Sequence, residues 1–423
     1  MNQVTIDQAS EYLKIPKSKI LKWEKKNLIQ VYYDNNKRLF NIEQLKELNL
    51  RKKEISNNKK FKVLINKNKT NYKVIELFAG CGGMALGLEN AGLTTEILVE
   101  INKNCINTLT RNRPNWNIIH DDIVNLDFKK YQNKIDIVAG GFPCQSFSYA
   151  GLGKGLEDTR GTLFFQFARC IQEIQPKIAI AENVRGLLSH KKGQTLEIML
   201  KVLDDLGYNT TYRILKAQFL DVPQKRERLI IFAIRKDLDI IPIFPKENNY
   251  IITLKEALKN CPKSIGVKYN KRKKEIMDLV PEGGNWRNLA VEIQKEYMKN
   301  SFYSGGGRTG FAKRLSWEEP CLTVTCSPAQ TQTERCHPTE TRPLTVREYA
   351  RVQTFPDNWE FTGSLTSKYR QIGNAVPVNM AYHIGQCLIT MLNNKIDSKL
   401  ISTPHFQKVQ NYQNEQLLIP GLY

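Results

Sequence analysis

Long apolar runs are missing from this chain of 423 residues. The stretch Leu229-Ile-Ile-Phe-Ala-Ile234 has the length of a strand, well short of a bilayer crossing. The first residues, Met-Asn-Gln-Val-Thr-Ile-Asp, are polar and contain no apolar leader core, so no secretory leader is expected. Cysteine never occurs as a CxxC pair, and the nine cysteines are an odd number at irregular spacing. That excludes a disulfide framework and predicts a reduced, cytoplasmic protein. Cys321, Cys326, Cys336 and His337 lack zinc-site spacing, so no metal is expected. Acidic residues are in deficit: 42 Asp and Glu face 63 Lys and Arg, a net charge of +21. Such an excess suits a polyanionic partner, although a Lys- and Asn-rich composition accounts for part of it. Nearly half of the excess lies in residues 1–70, where 17 Lys and Arg meet 7 Asp and Glu.

A regular strand–helix rhythm begins at Lys73. Val74-Ile-Glu-Leu-Phe78 reads as a buried strand, Ala79-Gly-Cys-Gly-Gly-Met84 as a turn and Ala85–Ala91 as the start of a helix. Glycines after a first strand let the backbone approach a ligand closely with its N–H groups free. The next strand, Thr95–Glu100, ends on an acid, at the position that binds a ribose diol in a doubly wound sheet. His120-Asp121-Asp122-Ile123 follows a third strand, where a carboxylate can meet an adenine amino group. Together these features indicate an adenosine cofactor. No Walker lysine follows the glycines, which argues against ATP hydrolysis.

The chain is organised around Asp136-Ile-Val-Ala-Gly-Gly-Phe-Pro-Cys-Gln-Ser-Phe-Ser148. An apolar strand is broken by two glycines and a proline, and Cys144 sits just past the break. A thiol at the carboxyl edge of a parallel strand stands where open α/β sheets bind ligands. Partly exposed there, its thiolate can attack electron-poor carbon. Glycine-rich Tyr149–Gly155 then reads as a loop that closes over substrate. Further on, Ile178–Ala181 is a buried strand ending in Glu182-Asn183-Val184, which places a candidate acid near the thiol. In Val222-Pro-Gln-Lys-Arg-Glu-Arg228, Arg226 and Arg228 are spaced to point the same way on an extended segment. They can hold a base carbonyl and a phosphate.

These stretches resemble the DNA cytosine-5 methyltransferases. Phe78-Ala-Gly-Cys-Gly-Gly is similar to the family's S-adenosylmethionine motif. Gly-Phe-Pro-Cys144, Glu182-Asn-Val, Gln224-x-Arg226-x-Arg228 and Gly373-Asn-Ala-Val-Pro377 resemble its other motifs, in family order across roughly residues 73–392. The resemblance implies an α/β S-adenosylmethionine-dependent methyltransferase fold: Rossmann-like, with a doubly wound, mostly parallel sheet. It implies Cys144 as the nucleophile that attacks C6 of a flipped cytosine, with Glu182 supporting N3. Arg228 is implied to meet the cytosine O2, with Arg226 beside it. C5, made nucleophilic, takes the methyl group; loss of its proton and elimination of Cys144 regenerate the enzyme. S-adenosyl-L-methionine is implied to bind Phe78, Ala79, Gly80, Gly82, Gly83, Glu100, Ile101, Asp122, Ile123, Pro143, Asn374 and Ala375.

Residues 236–341 lose the strand–helix rhythm and are assigned as a target-recognition domain. Lys271-Arg-Lys-Lys274 is basic, and Ser304–Gly310 and Thr323–Thr333 are rich in hydroxyls, amides and glycine that suit base edges. Ser146, Ser148, Gln224, Arg308, Thr325, Ser327, Gln330 and Gln332 are the candidate DNA contacts. The partition expected is a helix-turn-helix domain over 1–50, a basic linker over 51–72 and the catalytic domain over 73–235. After the recognition domain, 342–392 completes the catalytic domain and 393–423 is a tail.

In the N-terminal stretch, Thr5 and Ser18 can cap two helices, Leu28–Phe40 looks like a wing, and Ile42–Leu48 is a third helix. Ala9, Leu13, Ile20, Leu21 and Trp23 suit a helix-turn-helix core. The stretch is similar to the winged helix-turn-helix of MerR-type regulators; a helical docking domain is the alternative.

The implied function is methylation of cytosine C5 within a short duplex DNA sequence, in a bacterial type II restriction–modification system. The cognate endonuclease shares the DNA site and needs no contact with this chain. A monomer suffices on DNA, with dimerisation through the N-terminal domain as an open extension. Two other readings stand beside this one: a DNA-binding repressor, and an RNA cytosine-5 methyltransferase, against which the Glu-Asn-Val block argues.

Overall fold

In a computed structural model of the chain, the residues described are 3–13, 17–24, 31–34, 37–42, 45, 59–143, 163–304, 308–394 and 401–402. The chain forms two compact units. One comprises residues 1–59 with 249–251; the other comprises 60–248 with 252–423.

In the small unit, strand β1 (Gln3–Thr5) leads into helix α1 (Ile6–Leu13), and α2 (Lys17–Glu24) follows. Thr5 and Gln8 cap α1 reciprocally: the Gln8 N–H donates to Thr5 Oγ1 at 3.3 Å and the Thr5 N–H to Gln8 Oε1 at 2.9 Å. Ser18 lies inside α2, which starts at Lys17, and is therefore not its cap. β2 (Val31–Asp34) and β3 (Lys37–Asn41) form the expected hairpin, and β1 pairs antiparallel with β3 to make a three-stranded sheet. Ala9, Ile20, Phe40 and Leu45 form the core. The Leu13 and Trp23 side chains lie outside the described set, as does most of the expected third helix.

The large unit is built on a seven-stranded sheet. Its elements begin with β4 (Lys73–Leu77), α3 (Gly83–Ala91), β5 (Thr94–Glu100), α4 (Lys103–Asn112), β6 (Ile118–His120) and β7 (Ile137–Gly140). Next come α5 (Leu163–Ile174), β8 (Ile178–Val184), α6 (Gln194–Asp205), β9 (Tyr208–Lys216), β10 (Gln224–Lys225) and β11 (Glu227–Arg235). The strand order is β6-β5-β4-β7-β8-β11-β9. β6 through β8 run parallel, and β11 runs antiparallel between β8 and β9. Near-continuous apolar runs in β7, β8 and β11 follow from burial on both faces, with one apolar core on each side. Strand order reverses between β4 and β7, the place where a crevice opens at the strands' carboxyl ends.

Residues 252–341 carry α7 (Leu254–Leu258), α8 (Lys271–Asp278) and α9 (Val291–Met298) around a small core that includes Met277, Trp286, Met298 and Cys336. Strand β10 pairs in parallel with Cys321–Leu322 from this region. α10 (Val346–Val352), α11 (Leu365–Asn374) and α12 (Val378–Leu392) return to the sheet. α12 packs on α3 so closely that a Cβ on Gly87 would stand 2.3 Å from the Val378 carbonyl oxygen. No helix among the described residues is long and apolar enough to cross a membrane.

Candidate active site

A cavity of about 710 Å³ opens at the carboxyl ends of β4, β5, β7 and β8. Phe78, Ala79, Gly80, Gly83, Glu100, Ile101, Asp122, Ile123, Pro143, Asn374 and Ala375 line it, and so do Glu182, Arg226 and Arg228. Gly82 does not. Its φ is +87°, and a Cβ there would meet Leu109 at 2.6 Å, so the turn and its packing require this glycine.

Of the turn's N–H groups, read from sequence as free, those of Ala79, Gly80 and Gly82 are taken within the protein. Ala79 donates to the Val99 carbonyl at 3.1 Å, and Gly82 to that of Ala79 at 3.0 Å. The Gly80 N–H donates to Glu100 Oε2 at 2.7 Å, while Glu100 Oε1 accepts from the Asn102 N–H at 2.7 Å. Glu100 is thus oriented by two backbone donors, and its oxygens retain lone pairs for a further partner. Asp122 accepts from the Val124 N–H at 3.1 Å and caps a short 3₁₀ turn.

Glu76 was not visible from sequence as a site residue, because it sits within an apolar strand. It lines the cavity, is only 4% exposed, and its Oε2 has no hydrogen-bond partner. Burial, and then the charge of Glu100, push its pKa well up. An orphaned carboxyl oxygen in a cavity wall suits a ligand that brings a positive charge or N–H donors. The ammonium-bearing, sulfonium-bearing tail of S-adenosylmethionine fits that chemistry, and Glu100 and Asp122 fit its hydroxyls and adenine amino group.

At the centre of the site, Glu182 on β8 faces Ile230 on β11, and Val184 faces Arg228. Glu182 and Arg228 are therefore diagonal neighbours on one face. Arg228 Nε lies 2.7 Å from Glu182 Oε1, and both side chains are about nine-tenths buried. Burial lowers the Arg228 pKa and Glu182 opposes the shift. Gly141 makes room for the carboxylate, since a Cβ there would stand 3.0 Å from Glu182 Oε2. Asn183, a second residue without a role from sequence, donates Nδ2 to the Phe142 carbonyl at 3.1 Å and so holds the segment leading to Pro143. The Phe142 ring packs against Phe164 and Phe167, with centroids 5.5 Å away in each case. Cys144, Ser146, Ser148 and the 149–155 loop lie outside the described residues.

Two assignments change. Arg226 does not reach a phosphate: it is 1% exposed, and its Nη1 and Nη2 donate to the carbonyls of Val324 at 3.3 Å and Gly373 at 3.1 Å. It ties two segments together at the cavity wall, and burial, with Arg228 nearby, pushes its pKa down to about 9. Gln224 is fully buried and cannot read DNA. Its amide donates to the Val352 carbonyl at 3.2 Å and Gln353 Oε1 at 2.7 Å, and its oxygen accepts from the Val324 N–H at 3.0 Å. The remaining candidates lie on two loops. Ser327, Gln330 and Gln332 are exposed, and Thr325 is half-buried with its hydroxyl on the Ser327 carbonyl at 2.9 Å. Half-buried Arg308 donates to the Ser301 carbonyl at 2.9 Å. The loops adjoin at Gly310, whose carbonyl accepts from the Glu334 N–H at 3.1 Å. Among the described residues, no group of three or more His, Cys, Asp or Glu side chains is arranged to hold a metal ion.

A family profile described as C-5 cytosine-specific DNA methylase matches residues 72–390. The chain belongs to that family. It transfers the methyl group of S-adenosylmethionine to C5 of cytosine in DNA, and the RNA reading is set aside. The chain is 52% identical over 403 residues to the type II methyltransferase M.Eco47II of Escherichia coli, covering 92% of this chain and 96% of the relative. It is 56% identical over 332 residues to type II methyltransferase M.PspPI of Psychrobacter, covering 76% and 80%. Only 33 residues follow position 390, so a match over 92% of this chain reaches into the residues before 72 as well. A crystal structure of a prophage-encoded DNA modification methyltransferase from E. coli superposes with a TM-score of 0.56 at 26% identity, covering 76% of this chain and all of that one.

Proposed function

We propose that this methyltransferase acts on one short duplex sequence within a type II restriction–modification system, protecting it from a cognate endonuclease. The observation that carries the catalytic assignment is the buried Glu182–Arg228 pair beside Gly141, three residues ahead of Cys144. In this reading the target cytosine is flipped out of the duplex, because its C5 and C6 are inaccessible within the stack. Cys144 bonds to C6, and Glu182 supports N3 through a proton or a strong hydrogen bond. Arg228 orients Glu182 and meets the cytosine O2. Glu76, Glu100 and Asp122 bind the donor, whose sulfonium supplies the methyl group. Removal of the C5 proton and departure of Cys144 complete the turnover. Residues 236–341 form the target-recognition domain, with the paired loops around Arg308 and Gln330 facing DNA.

Bisulfite sequencing of plasmid DNA from a methylation-free host expressing the protein tests this reading, with Cys144→Ser as control. Protected cytosines confined to one short sequence, and absent with the variant, are expected. Protection by the variant as complete as by the wild type would overturn the nucleophile assignment.

A second role is proposed for the small unit: a MerR-like winged helix-turn-helix that represses its own operon. Its capped helix α1 followed by α2, its hairpin and the basic excess of residues 1–70 support this. A gel shift on the upstream DNA, with full-length protein and with protein lacking residues 1–59, tests it. Equal binding by both would count against it.

A further inference from the structure

Residues 323–333 present Ser327, Gln330 and Gln332 to solvent on a loop whose shape is held from beneath. Arg335 closes the base: Nε and Nη2 donate to the Thr323 carbonyl at 3.0 and 2.6 Å, and its N–H to that of Pro328 at 3.2 Å. The outer half depends on a different group. Glu334 has a fully buried side chain. One of its carboxyl oxygens accepts from the Tyr297 hydroxyl at 2.5 Å, and the other lies 2.7 Å from Lys273 Nζ. The same ammonium donates to the Ala329 carbonyl at 2.7 Å and sits 5.2 Å from the centroid of the Tyr269 ring.

Lys273 belongs to the basic run Lys271-Arg-Lys-Lys274. Its side chain is only 16% exposed and its charge points inward. A buried ion pair adds little stability over well-packed apolar residues, because desolvation offsets the attraction. What this pair does provide is a fixed distance between a buried anchor and the middle of an exposed loop.

We propose that Lys273 is a positioning residue for DNA sequence discrimination, linking Glu334 to the Ala329 carbonyl so that Gln330 and Gln332 meet base edges in one geometry. This rests on the reading that the 323–333 loop contacts DNA. A loop held in one conformation rejects a wrong base because it cannot rearrange to satisfy it.

The test uses full-length protein and duplex oligonucleotides carrying the sequence that the wild type methylates, or single-base changes of it. Lys273→Met should lower the ratio of single-turnover rates on matched and changed duplexes at least tenfold. The slope of log affinity for DNA against log salt should stay unchanged, as should donor binding. Lys273→Arg should restore part of the ratio. A salt slope shallower by about one, with discrimination intact, would make Lys273 an ordinary phosphate contact and overturn the proposal. Lower thermal stability with discrimination intact would overturn it as well. If Lys273→Met does not fold, Glu334→Gln decides, since it removes the anchor's charge and leaves Lys273 itself in place; wild-type discrimination in that variant overturns the proposal. Gln330→Ala and Gln332→Ala separate the two readings. If neither alters discrimination, the loop reading itself fails. If either does while Lys273→Met does not, only the positioning role fails.

Discussion

Arg228 Nε meets Glu182 Oε1 at 2.7 Å across the β8–β11 ladder, with each side chain only about a tenth exposed. The contact is diagonal, because Arg228 itself stands opposite Val184. Removing the cation leaves a buried carboxyl without its orienting partner. Arg228→Ala should therefore slow single-turnover methylation by roughly 10²-fold or more, the scale of a displaced acid–base group. Arg228→Lys should recover only part of that, since an ammonium lacks the planar fork. Rapid-quench measurements at saturating donor check both; rates within twofold of wild type would refute the pairing's role.

Glu182→Gln keeps the shape of the side chain and removes its proton chemistry. It should slow methyl transfer by roughly 10²–10⁴-fold while donor affinity stays near normal. Single-turnover rates and equilibrium dialysis with the labelled donor separate the two effects. An unchanged transfer rate would exclude Glu182 from the chemistry.

Glu76 gives a pH prediction. Its folded-state pKa is raised, chiefly by burial, so between its ordinary value and the raised one the folded protein holds a proton that the unfolded chain has lost. Folding stability from this group is accordingly complete below the ordinary carboxyl pKa and falls as pH rises through that window. Glu76→Gln removes this titration. Relative to wild type, the variant should gain stability when the pH is raised from 5 to 8. Urea unfolding of donor-free protein at the two pH values measures this, and a stability difference independent of pH would contradict it. Donor affinity should fall in the same variant.

Gly87 sets how closely α3 and α12 approach. A Cβ there would stand 2.3 Å from the Val378 carbonyl oxygen and 2.4 Å from Ala381 Cβ. The helix backbone cannot yield as a flexible side chain would, so Gly87→Ala should cost about 1–3 kcal/mol in urea unfolding. It should also weaken donor binding, because Asn374 and Ala375 precede α12 directly and line the cavity.

Removal of residues 1–59 should leave methylation of plasmid DNA intact. The larger unit, 60–248 with 252–423, contains the whole sheet and every described cavity residue. Loss of methylation by a soluble truncated protein would show that the catalytic unit depends on the smaller one.

Much of this architecture was legible beforehand where the signal is local. Apolar runs, ended by glycines at β4 and β7 and by polar or charged residues at β5, β8 and β11, marked these strands to within a few residues. All but one of the donor-site candidates line the same cavity. The errors fell on polar residues whose partners are far away in the chain. Gln224 and Arg226 look like an exposed polar strand, yet they bond to residues 98 to 147 positions distant.

The sequence by itself determined the order of strands and turns, the acids at strand ends and the family. These depend on apolar periodicity and on backbone breakers acting over a few residues. Tertiary structure decided which polar groups remain available. It turned Arg228 toward Glu182 and Arg226 toward backbone carbonyls, left Glu76 orphaned in the cavity wall, and pointed Lys273 inward. Neither spacing nor residue type determines those outcomes. A buried polar group must find partners wherever the fold brings them, and that depends on which distant segments pack together.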